Sequence, residues 1–532
     1  MVQTGAISTT LHGMIAARAL SEPESTAFWA GETTWSFAAL DSFGRSLARG
    51  LAGLGIGPGD LIGLWLPNGP AYLGFLLAIA RLGAIAVAVN TRFRALEIGD
   101  ILARSGARLL ALDPGFRGAD VPGVLAAMPS GALDGIEAIV ACGPGDLGTP
   151  PSGAGVYDLA TLAAGPMLDR ELGGPDSGVA IFTTSGTTRA PKFVLHGQSG
   201  IVRHAHDVAA RFGLDAPDAA SLQALPLCGV FGFAQAMACL AAGRPMALMV
   251  SFDADEAVRL VAHHRLTHAI ATDEMLDRML TSAGTGDGLK SLRFAGYASF
   301  VQGTRADLVQ RLESAGTRLV GLFGMSELLA LYAAQQPGDP IESRARPGGF
   351  PVAADGAIRV VDPATGRPCA TGEPGMLELK GPSAMLGYYG DPAATAEAIT
   401  PDGYVRTGDL GHAVGDGSFV FLSRMGDALR LGGFLVSSRE IEAELEADPA
   451  VAQAQVVGIP GSGGAKPVGF VVLKPGAAFD EAGLIRWCAN RLARYKVPAR
   501  IFVLDSFPAT AGPNGTKIQR GRLRDMAMER LG

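Results

Sequence analysis

The chain has 532 residues, 48% of them apolar and 18% charged, with 73 glycines and 33 prolines. That is enough apolar matter for about two to four packed units joined by many turns, and it excludes a peptide hormone, a disulfide miniprotein and a generally disordered chain. The net charge is −7 and the 44 basic residues are scattered, so no nucleic-acid partner is expected.

In chain order, the opening MVQTGAISTTLHGMIAARAL has no basic stretch leading into an apolar core, and no secretory signal is expected. Leu40, Phe43, Leu47, Leu51 and Leu54 recur at helical spacing, with Gly55, Gly57 and Pro58 as the stop, which predicts an amphipathic helix. Leu61 to Leu66 reads as a buried strand, residues 70–83 as a helix, and Ala84 to Val89 as another strand. Pro67, Asn68, Pro70 and Arg81 interrupt this apolar stretch, so no membrane span is expected. Strand–helix–strand alternation predicts an α/β layered fold.

Residues 113–178 are rich in turns, and no domain boundary is placed there. GPGDLG at 143–148 has dinucleotide-loop spacing, yet TPPSG follows where a helix should begin, so it reads as a turn. His263, His264 and His268 lack a metal-site pattern and read as structural histidines at a helix-to-strand junction. Beyond about residue 345, IRVVD, MLELKG and SFVFLS predict short strands of a smaller β-rich subdomain. From about residue 428, helices SREIEAELEADPA and DEAGLIRWCANRLARY flank strands VAQAQVVGI and VGFVVLK, which predicts a separate α+β unit of about a hundred residues. The widely spaced Cys142, Cys228, Cys239, Cys369 and Cys488 suit small buried side chains, reduced in a cytoplasmic setting.

After the strand-like GVAIF comes TTSGTTRAPK at 183–192. Small residues let backbone N–H groups approach phosphate oxygens, hydroxyls add donors, and a lysine supplies a compact positive charge. A Ser/Thr-rich loop alone is more often a simple turn, but its place after a strand is where α/β sheets carry ligand loops. With LFGMSE (322–327), GMLELKGPSAMLGYY (375–389), YVRTGDL (404–410), SRMGDALRLGGFLVSSREIE (423–442) and GPNGTKIQR (512–520) following in order, the chain resembles the adenylate-forming superfamily. That superfamily includes acyl-CoA synthetases, peptide-synthetase adenylation domains and luciferases.

The resemblance implies an α/β fold in which a large N-terminal domain, residues 1–426, holds two α/β sheet layers and a small β-rich subdomain. A mobile α+β domain, residues 427–532, would carry the catalytic lysine. It implies that Thr184, Ser185, Gly186, Thr187, Thr188 and Lys192 hold the ATP phosphates, and that Glu327 with Thr184 binds Mg²⁺. Gly296, Tyr297, Phe323, Gly324, Met325 and Ser326 would surround the AMP moiety, with Phe323 in the place of an adenine-stacking tyrosine. Asp409 would accept the ribose hydroxyls, Arg424 would contact ribose or phosphate, and Lys517 would bridge the acid and the α-phosphate. Gly432 and Gly433 would lie along the pantetheine arm of CoA, and Asp427 would be the hinge. Gly229, Val230, Phe231, Phe233, Tyr297, Leu322 and Met325 would line the acyl pocket.

The segment VFGFAQ offers no carboxylate for a substrate ammonium and no arginine for a second carboxylate, so an apolar monocarboxylic acid, fatty or aryl, is expected as substrate beside ATP and CoA. Departures from the family pattern are Arg189 and Phe193 where glycines are usual, Gly229 where many relatives carry histidine, and GYAS at 296–299. The implied activity is cytoplasmic acyl-CoA synthesis, with a homodimer left open. The rival readings are loading of a carrier-protein thiol, oxidation of the adenylate, and a non-catalytic nucleotide-binding relative.

Overall fold

The computed structural model describes residues 8–147, 153–184, 191–298, 305–431, 434–460, 465–492, 494–512 and 515–531. Two large sheets dominate its N-terminal part. In the first, the strands Gly178–Thr183, Ile85–Ala88, Leu61–Trp65, Leu109–Leu112, Ala138–Ala141 and Gly155–Asp158 run parallel in that spatial order. Phe193–Gly197 continues the sheet antiparallel to Gly178–Thr183, and Gly387–Tyr388 closes that edge.

The helices predicted from spacing form at Phe37–Gly53 and Pro70–Leu82. The first starts at Ser36, whose hydroxyl accepts from the Ala39 N–H, satisfying one orphan donor of the first turn. The second begins with proline, is buried from Tyr72 to Leu82, and stops at Gly83 in the left-handed conformation, φ +68°, which glycine adopts without a Cβ penalty. Glycine also sets how closely the two helices approach. A Cβ on Gly74 would sit 2.2 Å from the Phe43 ring, and one on Gly44 would sit 2.9 Å from Leu77.

The second sheet is mixed. Ser221–Gln223, His268–Thr272, Phe294–Ala298 and Arg318–Phe323 are parallel neighbours, and the sheet then continues antiparallel through Ala333–Ala334, Gly348–Pro351 and Phe419–Arg424. Val405–Ala413, Gly375–Lys380 and Ala357–Val361 form that end of the sheet, and beyond Ser221–Gln223 the other end runs through Met246–Leu248, Thr26–Ala30 and Thr33–Ser36. The β-rich region expected beyond residue 345 is present, and its strands continue the second layer. The free edge of Arg318–Phe323 is covered by strand pairing, which satisfies its backbone groups. A single apolar cluster, including Phe75, Ile79, Phe182, Phe233 and Leu322, packs the space between the layers.

From Ala428 onward, among the described residues, strands pair only with one another: two hairpins, Ala428–Leu431 with Phe434–Ser437 and Ala509–Gly512 with Gly515–Ile518, and a three-stranded sheet of Val451–Ile459, Lys466–Leu473 and Arg500–Val503. Glu442 is fully buried there and paired with Arg520 at 2.7 Å, tying the last helix, Arg520–Leu531, to the unit. The helix predicted to run on to Tyr495 ends at Ala489, where Asn490 forms the C-cap; Asn side chains compete with the helix for backbone hydrogen bonds and favour its ends. No helix among the described residues is long and apolar enough to cross a membrane.

Candidate active site

The strands Gly178–Thr183 and Phe193–Gly197 pair so that Thr183 lies opposite Phe193, which brings the two ends of the phosphate-loop motif together. The Thr184 N–H donates to the Lys192 carbonyl at 3.1 Å, and the Lys192 N–H donates to Thr184 Oγ1 at 3.2 Å. Ser185, Gly186, Thr187, Thr188 and Arg189 lie outside the described residues. Phe193, in a glycine position, is 5% exposed, and the Arg104 guanidinium sits 4.5 Å over its ring. Arg104 also donates to the Pro191 carbonyl at 2.7 Å.

Lys192 is exposed and turns toward the cleft. Its Nζ lies 4.4 Å over the Tyr388 ring, a cation–π contact, and the Tyr388 hydroxyl donates to Glu327 Oε1 at 2.8 Å. Burial and the Glu327 carboxylate push the Tyr388 hydroxyl upward, so it stays a donor. Lys192, Tyr388, Glu327, Met325, Arg406 and Gly408 line one cleft of about 250 Å³. Nothing about Tyr388 singled it out in the sequence, although its letter stands in the motif GMLELKGPSAMLGYY.

Glu327 sits in the short turn Ser326–Leu328 after the strand Arg318–Phe323. Gly324, just upstream, has no room for a side chain, since a Cβ would sit within 2.7 Å of the Ala330 and Leu331 backbone. Leu329, Ala330 and Leu331 hold φ values of +56°, +50° and +45°. Two buried imidazoles meet this turn: His196 Nε2 lies 2.8 Å from the Ser326 carbonyl and His204 Nε2 lies 2.9 Å from the Ala330 carbonyl. Burial pushes both histidines down to about 4, so they are neutral near pH 7.

Asp409 and Arg424 face each other across the Val405–Ala413 and Phe419–Arg424 strands and pair at 2.9 Å. Asp409 is 1% exposed, and burial pushes its carboxyl up to about 7 against the pull of Arg424. Its N–H donates to Thr407 Oγ1 at 3.0 Å, and that hydroxyl donates to the Leu377 carbonyl at 2.7 Å. Phe323, expected to stack on adenine, packs its ring edge-on against Phe419 at 5.1 Å and beside Phe421 at 5.6 Å, with 7% of the residue exposed. Little of its ring face is open.

On the expected acyl side, Gly229 caps the helix Val230–Ala242, and a Cβ on Gly232 would strike the Pro226 carbonyl at 2.4 Å. Val230 and Phe231 are half-buried at the start of that helix. Phe233 is buried edge-on against Phe182 at 5.0 Å, joining the helix to the strand that leads into the phosphate loop. Leu322 covers Gly296, whose added Cβ would meet it at 2.9 Å.

Tyr297 lies away from the expected pocket. Side chains alternate along Phe294–Ala298, so Tyr297 points with Ala295 into the cluster of Leu276, Leu308 and Leu312, on the other face from Phe294. Its hydroxyl donates to the Ala345 carbonyl at 2.9 Å. It is core, not pocket wall.

Asp427 ends the turn Met425–Asp427 between the strands Phe419–Arg424 and Ala428–Leu431. Gly432 and Gly433 lie outside the described residues. Lys517 lies in the strand Gly515–Ile518, opposite Thr510. Two of the clustered histidines prove structural. His268 is fixed by Thr267 and by the Phe212 carbonyl, His264 stacks on Trp29 at 4.1 Å, and no cluster of three or more metal-binding side chains occurs among the described residues. All five cysteines are free.

The family model of AMP-binding enzymes matches residues 15–389, and that of the AMP-binding enzyme C-terminal domain matches residues 440–512. A 2-succinylbenzoate–CoA ligase from Geobacillus kaustophilus is 31% identical over 510 residues, covering 94% of this chain and 96% of that protein. A feruloyl-CoA synthase from Amycolatopsis is 31% identical over 522 residues, covering 95% and 97%. The crystal structure of ATP-bound MatB from Rhodopseudomonas palustris superposes with a TM-score of 0.80 at 25% identity, covering 98% of this chain and 99% of that one.

Proposed function

The chain belongs to the AMP-binding enzyme family and is an AMP-forming acid–CoA ligase, and on that premise we propose how its own residues divide the work and which acids it takes. A carboxylate resists thiol attack because it is anionic and lacks a good leaving group. ATP therefore converts the acid to an acyl-adenylate with release of pyrophosphate, and the CoA thiol then displaces AMP to give the thioester.

The observation that carries the assignment is the run Lys192–Tyr388–Glu327 on one cleft wall. Lys192, Thr184 and the loop between them hold the β- and γ-phosphates, with Tyr388 keeping the lysine and the carboxylate apart and aligned. Glu327 fits a magnesium ion. It is a hard oxygen ligand, one of its oxygens is oriented by Tyr388, and among the described residues the other has no hydrogen-bond partner. Glu327 and Thr184 would hold the ion, which when bound neutralises phosphate charge. Asp409 accepts the ribose hydroxyls, with Arg424 alongside, and Phe323, Gly324, Met325 and Ser326 border the nucleotide. Lys517 bridges the acid and the α-phosphate, so that charge developing in transfer is met by a fixed cation. Asp427 is the pivot by which residues 427–532 swing against residues 1–426, bringing Gly432 and Gly433 to the CoA arm.

The acid is an apolar monocarboxylate, aryl or aliphatic, as in fatty acid metabolism. In support, Val230 and Phe231 are only half-buried at the entry of the acyl side, and the Amycolatopsis relative is named a feruloyl-CoA synthase. The five free thiols suit a cytoplasmic enzyme. The test is ATP-dependent pyrophosphate release over a panel of fatty, aryl and short-chain acids, with and without CoA. Turnover dependent on both an apolar acid and CoA is expected. Release indifferent to CoA would instead point to a carrier-protein thiol as acceptor.

A further inference from the structure

We propose that His196 and His204 are positioning residues for adenylation: donating to the Ser326 and Ala330 carbonyls, they hold the left-handed turn at 329–331 and, through it, the aim of Glu327. This rests on the reading that Glu327 acts on the ATP side of the site.

The turn needs holding. Leu329, Ala330 and Leu331 all lie in the left-handed region, where a Cβ crowds the following carbonyl, and consecutive non-glycine residues stay there only when their surroundings over-determine them. Their surroundings do. All three are buried, the Ala330 N–H donates back to the Met325 carbonyl at 2.9 Å, and the Leu329 N–H donates to the Ser326 carbonyl at 3.2 Å. These local bonds span the turn but do not fix it to the sheets. That attachment comes from elsewhere. His196 reaches Ser326 from the strand Phe193–Gly197, and His204 reaches Ala330 from the helix Gln198–Phe212. A carbonyl only accepts, so each Nε2 carries the proton; neutrality of both rings, which burial enforces, leaves each one donor to give.

The placement also links the two halves of the nucleotide site. His196 follows Lys192 by four residues, and its side chain takes the face opposite Phe193 and Leu195, which pack into the core of the first sheet. The Met385 N–H donates to the Glu327 carbonyl at 2.9 Å, three residues before Tyr388, which holds the Glu327 carboxylate. Glu327 is thus bounded by His196 one residue before it, Met385 on its own carbonyl, and His204 three residues after it. Its carboxylate direction is inherited from those contacts.

The experiment compares His196→Met and His204→Met with His196→Gln and His204→Gln in the full chain; methionine and glutamine are close in size and differ chiefly in the donor. Two quantities are read: amide hydrogen exchange over residues 326–332, and kcat and KM for pyrophosphate release. In the methionine variants the 326–332 amides should exchange about tenfold faster, with residues 61–82 unchanged, and kcat should fall about tenfold with KM for the acid held within about twofold. The glutamine variants should stay within about threefold of the parent, and adding Ala330→Gly, which relaxes the turn, should recover most of the loss in His204→Met. Unchanged exchange and kcat in the methionine variants would overturn the proposal, as would a loss of kcat with unchanged exchange. If His204→Met does not fold, the double variant with Ala330→Gly should fold, and its failure would also overturn it. Glu327→Gln, run alongside, separates the two claims: full activity there removes the role of Glu327, while the exchange result still decides whether the histidines hold the turn.

Discussion

Asp409 shows how much a single side chain can depend on its surroundings. Its ordinary value is 3.8, and burial raises it to about 7, so between those values the folded chain keeps a proton that the unfolded chain has lost. Stability from this group therefore falls as pH rises from about 4 to about 7. In the ribose-binding role proposed for Asp409, nucleotide binding has the opposite dependence, because only the ionised carboxylate would accept from both ribose hydroxyls. The KM for ATP should rise as pH drops through about 7, and Asp409→Asn should give a higher but flat profile, checked by pyrophosphate release between pH 5.5 and 8.5. Tyr388→Phe keeps the ring under Lys192 and deletes the bond to Glu327, so kcat/KM for ATP should fall about tenfold, the range expected for a hydrogen bond to a charged group. Lys517→Ala should cut adenylation by about 10²–10³ while leaving ATP binding nearly intact, measurable by comparing pyrophosphate release with equilibrium nucleotide binding. Asp409 was legible from YVRTGDL, since a motif carries the residue type with its position. Its pairing with Arg424 was not, because that depends on the register of two strands, and Tyr388 becomes a site residue only when the Gly387–Tyr388 edge meets Phe193–Gly197.

At the scale of elements, patterns with a clean period and a stop signal were legible: the helices Phe37–Gly53 and Pro70–Leu82 and the strands beside them. What periodicity could not supply was the partner of each face. Tyr297 sits in a motif segment, yet one step of strand alternation sends its ring away from the site. The β-rich region reads locally as a unit of its own, but its strands extend the edge of Arg318–Phe323, a long-range pairing that leaves no local mark. Helix–helix distance is set by glycine in the same nonlocal way. Gly74→Ala places a methyl group against the Phe43 ring, and such overpacking should lower stability by about 1–3 kcal/mol. The check is chemical denaturation of the purified variant, with the strand-bound nucleotide residues unchanged in sequence.

At the scale of the molecule, the proposed function divides the labour between two bodies joined near Asp427. Proline there would fix φ and oppose the backbone rotation proposed to alternate the two half-reactions. Asp427→Pro should therefore impair thioester formation more than adenylation, seen by comparing CoA-dependent product with pyrophosphate release in single turnovers. Equal losses would argue against a pivot at this residue.

Because no strand after Ala428 pairs with an earlier one among the described residues, the sheets transmit no hydrogen-bonded cooperativity between the bodies. Heat should reveal this. The C-terminal unit, about a hundred residues, carries its own unfolding enthalpy of about 70 kcal/mol near 60 °C, so scanning calorimetry should resolve it as a transition of its own. An acyl-adenylate analogue that makes Lys517 bridge the two bodies should draw that transition toward the main one, turning a calorimeter into a gauge of domain closure.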